Sequence, residues 1–255
     1  MNAFAAPVLF TPGDNDWWDC TKHGNLDFIE SLDCIRKTHF SSNFTLGLKP
    51  LKLFNQNKSG YPENLSLIKD NIGFITLHVV KYKNQMIPLD LDRKKEYDAR
   101  KEANLSWLEQ SFKELDSLDA IVVVLHANIL EKQNIPLKML AHKIIKNKEL
   151  LFNFENYKLA YKSLFIDSDY EFRLPYRDIG KLIQKLSLEF KKPVLLLHGD
   201  THFHRITPPL KKFPNLHIIE TFGSPDYKAI EIIVQPKSKN PFKVHRIFNS
   251  DNLEK

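Results

Sequence analysis

The sequence predicts an α/β fold with a ligand site at the carboxyl ends of its strands. Three short apolar runs, at residues 8–10, 120–125 and 194–197, have the composition of strands buried on both faces. Each run ends in side chains that can bind a metal ion. Ligands of open α/β sheets bind outside the carboxyl ends of the strands, where a rigid scaffold holds the loops. The three endings therefore predict one shared site.

The length and composition are those of one globular domain. A chain of 255 residues can bury about 70 to 75 per cent of the surface that its unfolded form exposes. Hydrophobic residues make up 42% and charged residues 27%, which excludes a fibrous or disordered class. No apolar run reaches the roughly 20 residues that a membrane span requires. We expect a single domain over residues 1–255, with a helical insert at about residues 129–178.

The net charge and the two cysteines say little about partners. A formal charge of +6 favours phosphate-bearing ligands such as a phosphate ester. Lysines interleaved with aromatic residues in the insert give weak support to nucleic acid as a partner. Cys20 and Cys34 are too few for a disulfide framework, and we expect both to be unpaired. The cellular compartment stays open.

The first site segment follows the apolar run at residues 8–10 and reads G-D-N-D at residues 13–16. Its carboxylates and amide supply the oxygen ligands that divalent cations bind, or hydrogen bonds to such ligands. The same residue types, directly after Pro12, also form turns readily. Taken alone, the segment supports either interpretation.

The other two site segments are rich in histidine. The strand at residues 120–125 ends at His126. Behind the strand at residues 194–197, three histidines and an aspartate follow within seven residues: His198, Asp200, His202 and His204. Gly199 is free to take a turn geometry that a residue with a Cβ resists. Imidazole and carboxylate groups at these spacings can converge on one cation, although a histidine-rich polar loop is the alternative.

The remaining elements follow from hydrophobic periodicity. His78 lies inside a strongly apolar strand, where it is either a hydrogen-bonded core residue or a ligand of the site. In chain order the pattern predicts a helix around residues 26–35, a polar corner at residues 61–64, a strand at residues 72–80, helices at residues 100–115 and 179–190, and closing strands at residues 216–219, 230–234 and 244–248.

These motifs together resemble those of the calcineurin-like metallophosphoesterase superfamily. Residues 13–16, His126 and residues 199–202 resemble its third, fourth and fifth sequence blocks. They are similar to a bacterial branch in which two of the blocks read G-D-N-[DE]-W and H-G-D-T-H. The resemblance implies a sandwich of two β-sheets flanked by helices, and hydrolysis of a phosphomonoester or phosphodiester. It also implies two divalent metal ions (Mn, Fe, Zn or Mg) that polarise the phosphoryl group and activate water.

The resemblance implies a role for each site residue. Asp14 falls where the family has an asparagine ligand and Asn15 where it has a catalytic histidine, although a one-residue shift makes Asn15 the ligand. His126 matches the fourth-block ligand, Asp200 replaces the first histidine of the fifth block, and His202 matches the second. With His198 as a ligand or as a partner of one, the implied metal set is Asp14, Asn15, His126, His198, Asp200 and His202, and Asn15 and His202 are also the implied catalytic residues.

The chain departs from the family at its amino-terminal end. The family's first two blocks, D-x-H and G-D-x-x-D, supply three ligands, including the aspartate that bridges the two metals. Only twelve residues precede Gly13, too few for both blocks. We therefore expect a fold without the amino-terminal strand-helix-strand unit and a phosphoesterase with impaired activity. The alternative is a non-catalytic remnant that binds a metal or a phosphate ligand.

Overall fold

A computed structural model describes most of the chain. The described residues are 1, 3–17, 27–80, 91–131, 171–172, 176–224 and 228–248. They belong to two compact units, one formed by Met1–Asn128 and Lys181–Lys255 and the other by Ile129–Gly180. The insert predicted at about residues 129–178 lies largely outside the described residues, so its helical character stays a prediction.

The described part of the chain contains both helices and strands. The helices are α1 (Asp14–Trp17), α2 (Phe28–His39), α3 (Leu91–Glu114) and α4 (Arg177–Phe190), and a short 3-10 helix covers Asn57–Ser59. The strands are β1 (Phe54–Gln56), β2 (Tyr61–Lys69), β3 (Ile72–Thr76), β4 (Ala120–Val124), β5 (Leu130–Glu131), β6 (Glu171–Phe172), β7 (Val194–His198), β8 (Arg205–Thr207), β9 (Leu216–Glu220), β10 (Lys228–Val234) and β11 (Phe242–Phe248). None of the helices in these ranges is long and apolar enough to cross a membrane.

A seven-stranded mixed sheet is the centre of the larger unit. Its strand order is β1-β2-β3-β4-β7-β9-β8. The four inner strands β3, β4, β7 and β9 are parallel, whereas β1, β2 and β8 pair antiparallel at the two sides. The predicted α/β class is thereby confirmed. Because parallel strands end at the same edge, the residues that follow β4 and β7 emerge side by side.

A two-stranded sheet, β10 with β11, packs against one face of the large sheet. Ile232, Val234 and Phe242 from the small sheet contact a cluster that includes Val122 and Leu195. Strands buried on both faces read as continuous apolar runs, which explains the sequences of β4 and β7. In the smaller unit, β5 and β6 form a second antiparallel pair.

A separate core cluster joins α1 and α2 to the large sheet. Trp17 and Leu32 are each only 1% exposed and share this cluster with Leu65 of β2. Helix α2 begins with a capping box, in which the Asp27 side chain accepts a hydrogen bond from the Glu30 N–H and the Glu30 side chain accepts one from the Asp27 N–H. The box satisfies amide groups that the helix itself cannot, so the start of α2 is encoded locally.

Two of the predicted elements are wrong. Residues 8–10 do not form a strand of the sheet; Val8 makes one isolated bridge to Leu46, in a short run between Pro7 and Pro12, and a proline cannot donate a backbone hydrogen bond. Residues 61–64 are not a polar corner but the start of strand β2. Glu63 and Asn64 are 0% exposed there, because Arg36 and His78, distant in sequence, satisfy Glu63, and the Gln56 side chain accepts a hydrogen bond from Asn64. The short edge strand β8 was not predicted.

Candidate metal centre

Asp14 is the first residue of helix α1 and is buried, with 6% of its surface exposed. The preceding segment is held by a hydrogen bond from the Thr11 hydroxyl to the carbonyl oxygen of Leu77, 3.1 Å away. The Asp16 carboxylate accepts a hydrogen bond of 2.7 Å from the Gly13 N–H, which stabilises the start of the helix. These contacts fix the backbone at Asp14 next to the end of β3.

His126 follows the end of β4, and its backbone continues the hydrogen bonding between β4 and β7. The N–H of Leu125 donates to the carbonyl oxygen of Leu197 at 3.1 Å, and the N–H of Gly199 donates to that of His126 at 3.0 Å. On the other side, the Ala127 N–H donates to the Val79 carbonyl at 2.9 Å. The loop that carries His126 is thus fixed by its neighbours on both sides.

Gly13 lies directly against the imidazole of His126. A Cβ atom at position 13 would lie 3.0 Å from both the Cε1 and the Nδ1 atoms of that ring, closer than almost all real Cβ contacts. The glycine therefore lets the backbone before α1 approach the histidine, and this approach brings Asp14 and His126 together.

Asp200 lies in the loop between β7 and β8. The turn does not use the conformational freedom of Gly199: the left-handed residues are instead Asp200, with φ +77°, and His202, with φ +66°. Aspartate and histidine are among the residues other than glycine that tolerate this region best, and the short side chain of aspartate can also form hydrogen bonds locally. The two left-handed residues turn the chain sharply beyond β7.

The structure brings Asp14, His126 and Asp200 together. One ligand atom from each of these residues lies within 4.8 Å of the other two, and the Nε2 atom of His126 lies 3.1 Å from Oδ1 of Asp14. Ligand atoms on one small divalent ion lie roughly 3 to 3.5 Å apart, since metal–ligand bonds are about 2.0 to 2.2 Å long. His126 and Asp200 are half-buried, so the group remains open to water on one side. The donors are of the types that divalent cations bind, and the 3.1 Å between Asp14 and His126 falls in this range, whereas the 4.8 Å limit for the whole group is wider.

The other predicted site residues lie elsewhere around this group. Asn15 is exposed on α1, and His198 is buried, with its Nδ1 atom 3.3 Å from the Gly199 carbonyl oxygen. His202 is exposed, and its ring packs over Gly223, where a Cβ would lie 2.5 Å from the ring. None of the three belongs to the group found among the described residues, so their roles stay predictions.

Sequence reasoning missed Glu220, the last residue of β9. Its side chain is only 3% exposed; it accepts a hydrogen bond from the Thr201 hydroxyl and lies 3.7 Å from the Arg205 guanidinium. Burial raises the pKa of Glu220, against the opposing effects of Thr201 and Arg205. A polar residue at the end of a buried strand was the available signal, but the predicted strand ended one residue earlier, at Ile219.

A buried charged network also escaped prediction. The Arg36 guanidinium donates two hydrogen bonds to the Glu63 carboxylate, at 2.7 and 3.0 Å, and His78 Nδ1 lies 3.1 Å from the same carboxylate. The His78 ring packs edge-on against Trp17 of α1, with 5.3 Å between ring centroids. The network thus contacts the helix that begins at Asp14.

Two comparisons with known proteins give no indication of what this centre does. A scan against protein-family models finds no match to the chain, and a search of curated proteins finds none either. The chemistry of the centre is therefore argued from the identity and the geometry of its side chains.

Proposed function

We propose that the chain binds one divalent metal ion through Asp14, His126 and Asp200 and that its activity is metal-dependent hydrolysis of a phosphate ester. The observation that carries the proposal is the convergence of these three residues from three separate segments, with ligand atoms within 4.8 Å of one another. Two carboxylates and an imidazole, brought together at the edge where β4 and β7 end, are donors of the kind that bind a cation, and this supports the proposal.

The nature of the donors narrows the choice of metal. Oxygen and nitrogen ligands without a thiolate suit Mn, Fe or Zn. Mg is the poorest fit because it prefers oxygen ligands and one donor here is an imidazole nitrogen. When bound, such an ion supplies a Lewis acid for a phosphoryl oxygen and makes a water molecule a better nucleophile. The two carboxylates set the charge of the site, and His126 is the neutral ligand.

We further propose a calcineurin-like sandwich as the fold behind this site, and a phosphomonoester or phosphodiester as the substrate. The mixed seven-stranded sheet with a smaller sheet packed on one face is compatible with a two-sheet sandwich. His202 and Asn15 are exposed and lie within two residues of the ligands Asp200 and Asp14. In the proposal they face the substrate, His202 holding a proton for the leaving oxygen and Asn15 donating a hydrogen bond to a phosphoryl oxygen.

One observation favours a second candidate function, a metal-binding or phosphate-binding remnant without catalysis. Among the residues that the structure describes, a single group of three metal-competent side chains is present. Two-metal phosphoester hydrolysis needs a second ion about 3.5 to 4 Å from the first, to stabilise both the attacking and the leaving oxygen. A protein with only this one site would bind an ion but catalyse poorly.

Metal titration and hydrolysis assays separate these proposals. Calorimetric titration with Mn²⁺ or Co²⁺ should show one site in the wild type and none in His126→Ala. His245→Ala, which removes an exposed histidine on β11, is the matched control and should bind as the wild type does. Wild-type protein that binds neither ion would refute the metal centre.

Activity is then measured with bis-para-nitrophenyl phosphate in the presence of Mn²⁺. Hydrolysis that His126→Ala abolishes and His245→Ala preserves supports the phosphoesterase. One bound ion without hydrolysis supports the remnant instead.

A further inference from the structure

Glu220 lies beside the loop that carries Asp200. In the pairing of β7 with β9 it is opposite His198, the last residue before the loop, and in the pairing of β8 with β9 it is opposite Arg205, the first residue after it. Both ends of residues 199–204 are therefore adjacent to Glu220. A buried carboxylate at this position requires an explanation, because isolated buried charges are unfavourable.

The loop adopts a left-handed backbone conformation that costs energy even for Asp and His, which tolerate it better than most residues. Asp200 and His202 both have positive φ, and Thr201 lies between them. Non-glycine residues keep such conformations only where the surrounding structure holds them. Contacts from outside the loop would therefore help to hold this turn.

Glu220 makes the contacts that can do so. Its carboxylate accepts a hydrogen bond from the Thr201 hydroxyl, at the centre of the turn, and its backbone carbonyl oxygen lies 2.8 Å from Nδ1 of His204. The adjacent Thr221 N–H donates to the His198 carbonyl at 2.8 Å, which ties down the start of the loop. The beginning, middle and end of the loop are all fixed to the end of β9.

Glu220 itself is not a member of the ligand group. One carboxylate oxygen faces Thr201 and the other faces Arg205, and the group of converging ligand atoms comprises only Asp14, His126 and Asp200 among the described residues. Its effect on the centre is therefore transmitted through the loop.

We propose that Glu220 is a positioning residue, which acts through the Thr201 hydroxyl to hold Asp200 in the left-handed conformation that directs its carboxylate towards Asp14 and His126. This inference rests on the proposed metal centre for its functional meaning. Hydrogen-bond partners that orient metal ligands commonly change metal affinity by about 10- to 100-fold when they are removed.

The test uses isosteric variants of Thr201 in the full chain. Thr201→Val keeps the shape and loses the hydroxyl, whereas Thr201→Ser keeps the hydroxyl. Co²⁺ affinity from the visible absorption of the bound ion should fall about 10- to 100-fold in Thr201→Val and remain near the wild-type value in Thr201→Ser. Thr207→Val, the same change in neighbouring β8, is the control. Thermal unfolding of the metal-free proteins shows whether a loss is merely structural.

A second readout keeps this test separate from the metal proposal. Without metal, backbone amides of residues 199–204 should exchange with solvent at least several-fold faster in Thr201→Val than in Thr201→Ser or the wild type, because the loop has lost its anchor. In Glu220→Gln, which keeps an acceptor oxygen, these amides should exchange faster than in the wild type but more slowly than in Thr201→Val. This variant provides the test if Thr201→Val does not fold. Wild-type protein that fails to bind Co²⁺ refutes the metal centre but not the anchoring. Unchanged exchange and affinity in both Thr201→Val and Glu220→Gln overturn the positioning role.

Discussion

The imidazole Nδ1 of His78 lies 3.1 Å from a carboxylate oxygen of Glu63, and both side chains are completely buried. An ionised carboxylate can only accept hydrogen bonds, so Nδ1 carries the proton of a neutral His78. Arg36 neutralises Glu63 from the other side. Breaking such a buried arrangement leaves an uncompensated charge, so the pair should control the response of the protein to acid.

Acid should destabilise the protein in two steps. Burial, together with the positive charge of Arg100, lowers the pKa of His78 below its ordinary 6.5. Burial alone would raise the pKa of Glu63, but the hydrogen bonds with His78 and Arg36 outweigh it and lower that pKa from 4.5 to about 2. In both cases the unfolded chain binds protons more readily, so stability falls as the pH drops.

The free energy of unfolding should therefore decline gradually below pH 6.5 and more steeply between pH 4.5 and 2. Urea denaturation at a series of pH values measures both steps. Glu63→Gln should remove most of the steeper step and lower stability at neutral pH. His245→Gln, which alters the exposed pair with Glu231, should leave the profile unchanged. A wild-type profile that is flat from pH 6.5 to 3 would contradict the argument.

Trp17 should anchor the helix that begins at Asp14. Its ring is 1% exposed, packs 4.4 Å from the Phe28 ring and lies under the Arg100 guanidinium at 5.6 Å. Trp17→Ala should cost about 3 to 5 kcal/mol of unfolding free energy because it leaves a cavity. Trp17→Phe should keep the fold and weaken Mn²⁺ binding. Leu188→Ala, at an exposed position on α4, should change stability by less than about 0.5 kcal/mol. Equal costs for Trp17→Ala and Leu188→Ala would refute the anchor.

Two glycines near the centre should respond differently to alanine. In Gly13→Ala the new methyl group meets the His126 ring at 3.0 Å, so the ring must shift from the position in which it contacts Asp14. Metal affinity should fall by about tenfold or more. In Gly199→Ala the nearest atom lies 3.6 Å away, an ordinary contact, and affinity should stay within about twofold. Calorimetric titration of both variants provides the comparison, and equal losses would show that the close approach of Gly13 is irrelevant.

Metal binding should appear as added stability that depends on Asp200. At a free Mn²⁺ concentration of about 100 times the dissociation constant, an ion that binds only the folded state adds about 2.7 kcal/mol. Asp200→Asn should abolish this gain. It should also leave the metal-free protein as stable as the wild type or more so, because it removes one of two adjacent carboxylates. Thermal unfolding with Mn²⁺ or with EDTA tests this, with Glu231→Gln as the control. An equal gain in Asp200→Asn would place the ion elsewhere.

The sequence alone determined the elements whose own apolar residues show that they are buried. The runs that became β4 and β7 are apolar on both faces, β9 is apolar apart from His217 and Glu220, and α4 has its apolar residues at helical spacing. Local pattern was therefore enough to predict them. It also placed Asp14, His126 and Asp200 among six candidate ligands, because metal-competent side chains came soon after three predicted strands, although the one before Asp14 did not form.

Only the tertiary structure decided which of these residues meet. Asp14 and His126 are 112 positions apart, and their contact depends on the strand order and on the space left by Gly13. The strand at Glu63 could not be predicted for the same reason: the Glu63 carboxylate is buried because Arg36 and His78, distant in sequence, satisfy it. Likewise, the left-handed turn at Asp200 is supported from β9 through Glu220. Local pattern reports whether a segment is buried, whereas the partner of a buried polar group is chosen by packing between distant segments.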